Sequence, residues 1–247
     1  MTAGIPLLLA SEHPCSYLYE QQARSVFVHP HYPMTADVYA ELMTQGFRRG
    51  GGAVYRPRCP VCKSCLPSRI AVADFKQDRS QKRCVRRNAA TTVTIKPPIF
   101  DPEHYALYLR YQAHQHPGSD MINTNPEDFL AFLACPWCDT GFVEFRIAGQ
   151  LAAVAVVDFF PLAWSAVYTF YAPEFSTYSL GVYAVLWQIQ ELQQCEGLFV
   201  YLGFWIAECK KMAYKQRFQP LQILVDNQWV VLDNQHHCQL DAAQVVC

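Results

Sequence analysis

Hydrophobic and polar positions fall into two regimes along the chain. Three apolar stretches, 141–147, 151–159 and 164–171, follow one another across short breaks at Gly149-Gln150 and Pro161. They are rich in Val, Phe and Tyr, and their lengths predict an antiparallel meander with a centre buried on both faces. Val182, Val185, Leu186, Ile189 and Leu192 then recur at helical spacing, predicting a helix from Ser179-Leu180-Gly181 to about Gln194. A strand at 198–202, a basic helix at 208–217 and a last strand at 229–232 complete this half, and beyond Asp233 the chain reads as a polar tail. The first half is less periodic. It predicts a short strand at 24–28 and a helix from the Thr35 cap to Gln45, stopped by Gly46. A strand at 70–75, a basic helix at 79–90 and a strand at 91–95 follow. Helices then begin at Asp101-Pro102 and at Asn125-Pro126-Glu127.

This order predicts an α/β (α+β) chain with a basic, cysteine-bearing region at 1–100, a sheet domain at 101–235 and a tail at 236–247. Strands, helix, strand and helix in that succession resemble the GNAT-type acyltransferase sheet, an analogy of fold that says little about function.

Composition supports a packed core: of 247 residues 51% are hydrophobic and 14% aromatic, which excludes a disordered chain. The apolar region 151–172 is interrupted by Asp158 and Pro161 and reads as strands, not as a membrane span. Eleven cysteines is a large and odd number. No basic residue precedes the short apolar run at 5–10, so a secretory leader is not expected. A reducing cytoplasm, with thiols and a metal site in place of a disulfide framework, is the expectation.

Net charge is only −1, yet thirteen of the twenty Lys and Arg residues lie between Gly46 and Lys96, opposed by Asp74 and Asp78 alone. A block of this kind implies a polyanionic partner, most simply nucleic acid. Lys210, Lys211, Lys215 and Arg217 form a second cluster. Inside the basic block Cys59, Cys62 and Cys65 repeat as C-x2-C-x2-C in a Pro- and Gly-rich loop, a spacing that lets three thiols converge on zinc or an iron–sulfur cluster, with Cys15 as the candidate fourth ligand. Cys135-Pro136-Trp137-Cys138 reads either as a redox or metal pair or, more simply, as a tight helix-to-strand join. His13, His29, His31, His114, His116, His236 and His237 share no ligand spacing, and His104 reads as a solvated helix residue.

Several motifs stand in one order: Cys15-Ser16-Tyr17-Leu18, Gln22-Ala23-Arg24, Gly46-Phe47-Arg48-Arg49, Val54-Tyr55-Arg56-Pro57, the cysteine loop, and Arg79-Ser80-Gln81-Lys82-Arg83. Later come Ser165-Ala166-Val167-Tyr168-Thr169-Phe170-Tyr171, Ser179-Leu180-Gly181, Tyr201-Leu202-Gly203-Phe204-Trp205-Ile206 and Lys211-Met212-Ala213-Tyr214-Lys215. Together, over roughly residues 12–232, they resemble the bacterial leucyltransferases of the N-end rule, relatives of the eukaryotic arginyl-tRNA–protein transferases. The resemblance implies transfer of leucine from leucyl-tRNA to the N-terminal amine of proteins beginning with Asp or Glu, tagging them for degradation in the cytoplasm. It also implies a GNAT-like domain joined to an N-terminal cysteine region, and a metal or iron–sulfur role for Cys15, Cys59, Cys62 and Cys65. Three positions depart from the family pattern: Tyr178 stands where an arginine commonly precedes Ser-Leu-Gly, Phe204 ends the Tyr-Leu-Gly-Tyr stretch, and Tyr19-Glu20 replaces Pro-Gly.

The implied reaction is aminolysis of an activated ester, in which positioning supplies much of the acceleration and no covalent nucleophile is needed. A proton acceptor and an oxyanion donor remain to be supplied. Asp158 is the candidate to orient or deprotonate the amine, and Tyr168, Tyr171 and Tyr201 are candidate donors or a shelf for the leucine side chain. The amides at Ser179 and Gly181 open a helix and suit an anionic oxygen. Arg48, Arg49, Arg56, Arg79 and Arg83 are the candidate forks for the acceptor carboxylate. Lys210, Lys211 and Lys215 are expected to track tRNA phosphates. An arginine donor, or a non-catalytic metal-ribbon protein that binds tRNA or another RNA, are the alternatives. The apolar 141–206 region favours leucine over arginine.

Overall fold

The computed structural model describes residues 4–115, 117 and 123–233. In chain order the strands and helices are β1 (Leu7–Leu9), β2 (His13–Pro14), β3 (Gln22–Ala23), β4 (Ser25–Val28), α1 (Ala36–Thr44), β5 (Arg48–Gly50), β6 (Ala53–Pro57), β7 (Leu66–Ala71) and α2 (Arg79–Arg87). Then come β8 (Thr92–Lys96), α3 (Pro102–Gln115), α4 (Pro126–Leu133), β9 (Thr140–Ile147), β10 (Gln150–Phe160), β11 (Ala163–Tyr171) and α5 (Leu180–Gln194). The chain ends its described part with β12 (Phe199–Trp205), α6 (Lys210–Ala213), β13 (Leu221–Val225) and β14 (Gln228–Val231). The expected polar tail at 236–247 lies outside the described residues.

Contacts divide the chain into two compact units. One draws on Met1–Arg49, Ala53–Phe75 and Tyr201–Cys247, the other on Gly50–Gly52 and Lys76–Val200. In the first, β1, β4, β6 and β5 lie side by side, and β14, β13, β7 and β12 form a second run. Helix α1 starts where Thr35 accepts the Val38 amide (3.3 Å) and buries Tyr39, Leu42 and Met43. Sequence periodicity missed β1, β5, β6 and β13, because each is short or sits among Gly, Pro and Arg.

In the second unit β11, β10, β9 and β8 form the expected antiparallel meander. Strand β10 is buried from Leu151 to Asp158, as a central strand covered on both faces must be. On one face Phe142, Val154, Val156 and Phe170 pack with Leu107, Tyr108, Phe129 and Leu133 of α3 and α4. On the other, Phe145 meets Tyr183 and Trp187 of α5 edge-on at 5.6 and 5.9 Å. Helix α2 begins in a capping box between Asp78 and Gln81. Its inner side carries the buried Gln81, Cys84 and Asn88.

Candidate active site

The first unit gathers its most perturbed groups around the Tyr201-Leu202-Gly203-Phe204 stretch of β12. Gly203 has a left-handed φ of +79°, open to glycine without strain, and the Arg48 guanidinium comes within 3.5 Å of where its Cβ would stand. The Gly203 carbonyl accepts from the Ser68 hydroxyl at 3.0 Å, and the next carbonyl, Phe204, accepts from Lys215 Nζ at 2.5 Å. Lys215 is only 6% exposed. Burial, then the Arg48 charge, pulls its ammonium down to about 7, and the Cys209 and Cys65 thiols pull weakly the other way. An enclosed ammonium cannot follow tRNA phosphates, so the expectation for Lys215 is corrected. Lys210 and Lys211 are exposed, on α6.

The cysteines lie within electrostatic reach of one another. Burial, followed by the charges of Cys59, Cys62, Cys15 and Cys209, pushes the Cys65 thiol up to about 12. Burial pushes Tyr17 up to about 12 as well, with Tyr55, Cys65, Cys209 and Cys15 adding to it. Cys15 Sγ accepts the backbone amides of Tyr17 and Leu18, each at 3.4 Å, which is how a ligand thiolate is steadied. Cys59 Sγ donates to the Arg24 carbonyl at 3.7 Å. Thiols that raise one another's pKa become thiolates together only when a cation neutralises them, so the donor set fits a metal group. One tetrahedral ion would hold its sulfurs about 3.8 Å apart. Among the described residues the only set of three or more His, Cys, Asp or Glu ligand atoms within 4.8 Å of one another is Asp101, His104 and Glu144.

Of the other cations in this unit, Arg48 and Arg49 are buried, and the Arg49 amide donates to the Tyr39 hydroxyl at 3.1 Å. Arg56 lies over the Phe47 ring at 5.2 Å and donates to the Gln45 carbonyl at 2.9 Å. Arg69 was not singled out by its sequence context. It donates to Gln222 Oε1 (2.8 Å) and to the Tyr201 hydroxyl (3.3 Å), and it stacks over Trp229 at 4.2 Å. Its partners lie on β12, β13 and β14, well over a hundred positions away, a distance no local motif reports.

In the second unit Asp158 is fully buried. It stands in register with Thr140 on β9 and Ser165 on β11, and its Oδ1 accepts from the Thr140 hydroxyl at 2.7 Å. Tyr168, on β11, sits in an aromatic cage of Tyr108, Tyr111 and Phe132. Its oxygen accepts from Gln112 Nε2 at 3.0 Å, and burial outweighs that bond to push its pKa up to about 12. Ser179 caps α5 in a left-handed conformation (φ 55°, ψ 45°) without a side-chain capping bond. The first-turn amides at Gly181 and its neighbours therefore have no side-chain cap from Ser179. Arg79 and Arg83 are exposed on α2. Cys135 and Cys138 lie unbridged in the join between α4 and β9.

His104 corrects a second expectation. It is 2% exposed and its Nε2 lies 2.8 Å from Glu144 Oε1. Arg146 Nε meets the other Glu144 oxygen at 2.8 Å, and Arg146 Nη2 meets Glu103 at 2.5 Å. Burial works to raise the Glu144 carboxyl, but the Arg146 and His104 hydrogen bonds win and hold it below the ordinary range. With both its oxygens engaged, Glu144 belongs to an ion-pair network on α3 and β9, not to a metal site. The helix spacing around His104 gave no hint of a carboxylate forty residues away.

Comparison with known proteins bears on both units. The model for the N terminus of arginine-tRNA-protein transferase matches residues 13–83, and that for the C terminus matches residues 103–225. The chain belongs to the arginine-tRNA–protein transferase family. Within it, the chain is 46% identical to the aspartate/glutamate leucyltransferase of Pseudomonas fluorescens (strain Pf0-1), over 94% of this chain and 98% of that protein. It is likewise 46% identical to the enzyme of the same name from Pseudomonas aeruginosa (strain LESB58), over 93% and 98%. Among solved structures, the lysylphosphatidylglycerol synthase of Bacillus licheniformis overlaps loosely, at a TM-score of 0.41 and 12% identity over 69% of this chain and 50% of that one.

Proposed function

We propose that this protein is a leucyl-tRNA–protein transferase that moves leucine from leucyl-tRNA to the N-terminal amine of proteins beginning with Asp or Glu. The observation that carries this reading is the match to the leucyltransferases along nearly the full length of both partners. It extends through both units, so neither the cysteine-bearing segments nor the meander is left unaccounted for. Among the described residues no helix is long and apolar enough to cross a membrane.

The chemistry asks little of a base. An α-amino group titrates near ~7.7–8.0, so an appreciable fraction of the acceptor is already neutral at cellular pH. The amine attacks the ester carbonyl, a tetrahedral oxyanion forms, and the ribose hydroxyl departs. Tyr168 stays protonated because of its burial, and its oxygen already accepts from Gln112, so its hydroxyl proton is directed to the oxyanion. Tyr201 is the second candidate donor. Asp158 is fully enclosed and bonded to Thr140, so the amine does not reach it directly and its part is to hold β9 and β10 in register beneath the site. The acceptor carboxylate requires a forked cation, and Arg69, held by Tyr201, Gln222 and Trp229, joins Arg48, Arg49 and Arg56 as a candidate. Cys15, Cys59, Cys62 and Cys65 would hold an iron–sulfur cluster or zinc, which would supply a cross-link between their loops and, with four thiolates, a net negative charge to balance Lys215 and Arg48.

The test is transfer of labelled leucine from leucyl-tRNA to peptides beginning with Asp, Glu, Lys or Ala, with arginyl-tRNA run alongside. Transfer to the Asp and Glu peptides alone, from leucyl-tRNA alone, is expected. Transfer from arginyl-tRNA instead would move the donor assignment, and tRNA binding without transfer from either would favour a binding protein. Metal and sulfide analysis of anaerobically purified protein, with its visible absorption, tests the cysteine site. Protein free of both iron and zinc would remove it.

A further inference from the structure

Arg79, Lys82, Arg83 and Arg86 occupy positions i, i+3, i+4 and i+7 of α2 and are all exposed. That spacing puts four cations in one stripe along the helix, roughly 5–6 Å apart between neighbours. With Gln77 and the half-buried Val85 they line a groove of about 490 Å³, and no acidic residue lines it. Among the described residues none of the four forms a salt bridge. Like charges at this spacing destabilise a helix, and this concentration does not reflect a cationic chain, whose net charge is −1. The inner side of the same helix is tied down: Asn88 Nδ2 donates to the Tyr178 carbonyl at 2.9 Å, Arg87 Nη1 donates to the Thr177 carbonyl, and Cys84 Sγ reaches the Tyr178 carbonyl at 3.7 Å. Those carbonyls belong to the turn that leads into the left-handed Ser179 and the first turn of α5.

From these placements we propose that the outer stripe of α2 is the phosphate track of the aminoacyl-tRNA, held by its hydrogen bonds in fixed register with the amides that open α5. The inference rests on the transferase reading and adds where the nucleic acid lies. It shifts the burden from Lys215, which is enclosed, and assigns Arg79 and Arg83 to the tRNA backbone in place of the acceptor carboxylate. A polyanionic strand fits because its charges repeat at a spacing close to that of the stripe, and Val85 offers an apolar floor for a ribose edge.

The experiment measures tRNA binding by anisotropy at about 50 and about 200 mM salt, together with transfer kinetics. The variants are Arg83→Gln/Arg86→Gln and the control Arg110→Gln on α3, outside the basic block. Loss of two phosphate contacts should weaken binding about tenfold and make log affinity against log salt shallower by roughly 1.5–2. KM for leucyl-tRNA should rise, with KM for the peptide and the saturating kcat unchanged, and the control should match wild type. An unchanged salt slope and KM in a wild type that does bind and transfer overturns this inference alone. A wild type that binds no tRNA overturns the transferase reading and this one together. If the double variant melts early by circular dichroism, single Arg79→Gln and Lys82→Gln variants replace it, each expected to lower the slope by about 0.9.

Discussion

At the scale of single residues, Lys215 gives a signed prediction. Folded, its ammonium titrates at about 7, and in the unfolded chain at the ordinary 10.5. Between those values the unfolded state binds more protons, so stability rises with pH, by up to about 1.4 kcal/mol per pH unit. The clean window is pH 7 to about 9, because Cys65 and Tyr17, whose folded values are raised, work in the opposite direction above it. Urea midpoints in chelator should therefore climb across this window, and Lys215→Met should abolish the climb while stabilising the protein below pH 7. Tyr168→Phe tests the proposed chemistry: on the reading that Tyr168 donates to the oxyanion, kcat should fall about 100-fold. The unpaired Gln112 amide it leaves should cost about 1–3 kcal/mol of stability, read by thermal melting. The identities of Asp158 and Tyr168 as site candidates were legible in the sequence, since a lone carboxylate in an apolar strand and a tyrosine-rich strand both stand out. Their surroundings were not, because Thr140, Gln112 and the aromatic cage arrive from other elements.

At the scale of elements, two contacts set positions. Asn88 bonds both the Cys84 carbonyl of its own helix and the Tyr178 carbonyl, at 2.9 Å each. Asn88→Ala should destabilise by about 1–3 kcal/mol, since two hydrogen bonds from a buried amide are lost together. Gly51 is left-handed at φ +58°, and a Cβ there would stand 2.3 Å from the Ala131 carbonyl oxygen. Gly51→Ala should then cost about 2–3 kcal/mol or prevent soluble expression, which denaturant titration decides. The longer elements were readable at this scale: α5 and the three meander strands follow the apolar pattern, and α2 and α3 follow their basic run and their Asp-Pro start, to within a few residues. The two-to-five-residue strands of the first unit were not, because such strands are fixed by their neighbours and carry too few positions for a period to show. The basic helix expected at 208–217 proved to be one short α-helical turn followed by a 3₁₀ turn.

At the scale of the whole molecule, the cysteine site makes a comparison between variants. Cys62→Ala should lose folding or transfer activity to a greater degree than Cys195→Ala, whose thiol is exposed on the far end of α5. Equal, full activity in both purified variants would remove the metal proposal. The C-x2-C-x2-C spacing proposed three sulfurs and Cys15 as a fourth, and all three others act electrostatically on Cys65. The influence of Cys209 on Cys65 was invisible to spacing, since it lies more than a hundred residues downstream.

The discontinuity of the first unit bears on how the protein is made. Its cysteine loop leaves the ribosome early, but Cys209, Lys215 and the strands from Tyr201 onward come last, after every residue of the second unit. The meander can fold while the polypeptide is still growing, as local units do. Cys15, Cys59, Cys62 and Cys65 emerge together and wait through that interval without Cys209 and Lys215, which reach Cys65 only in the completed unit. Synthesis therefore leaves a span in which Cys59, Cys62 and Cys65 are open to oxidants and to stray metals. On the proposed metal site, enclosure of the centre belongs to the moments after release, not to translation itself.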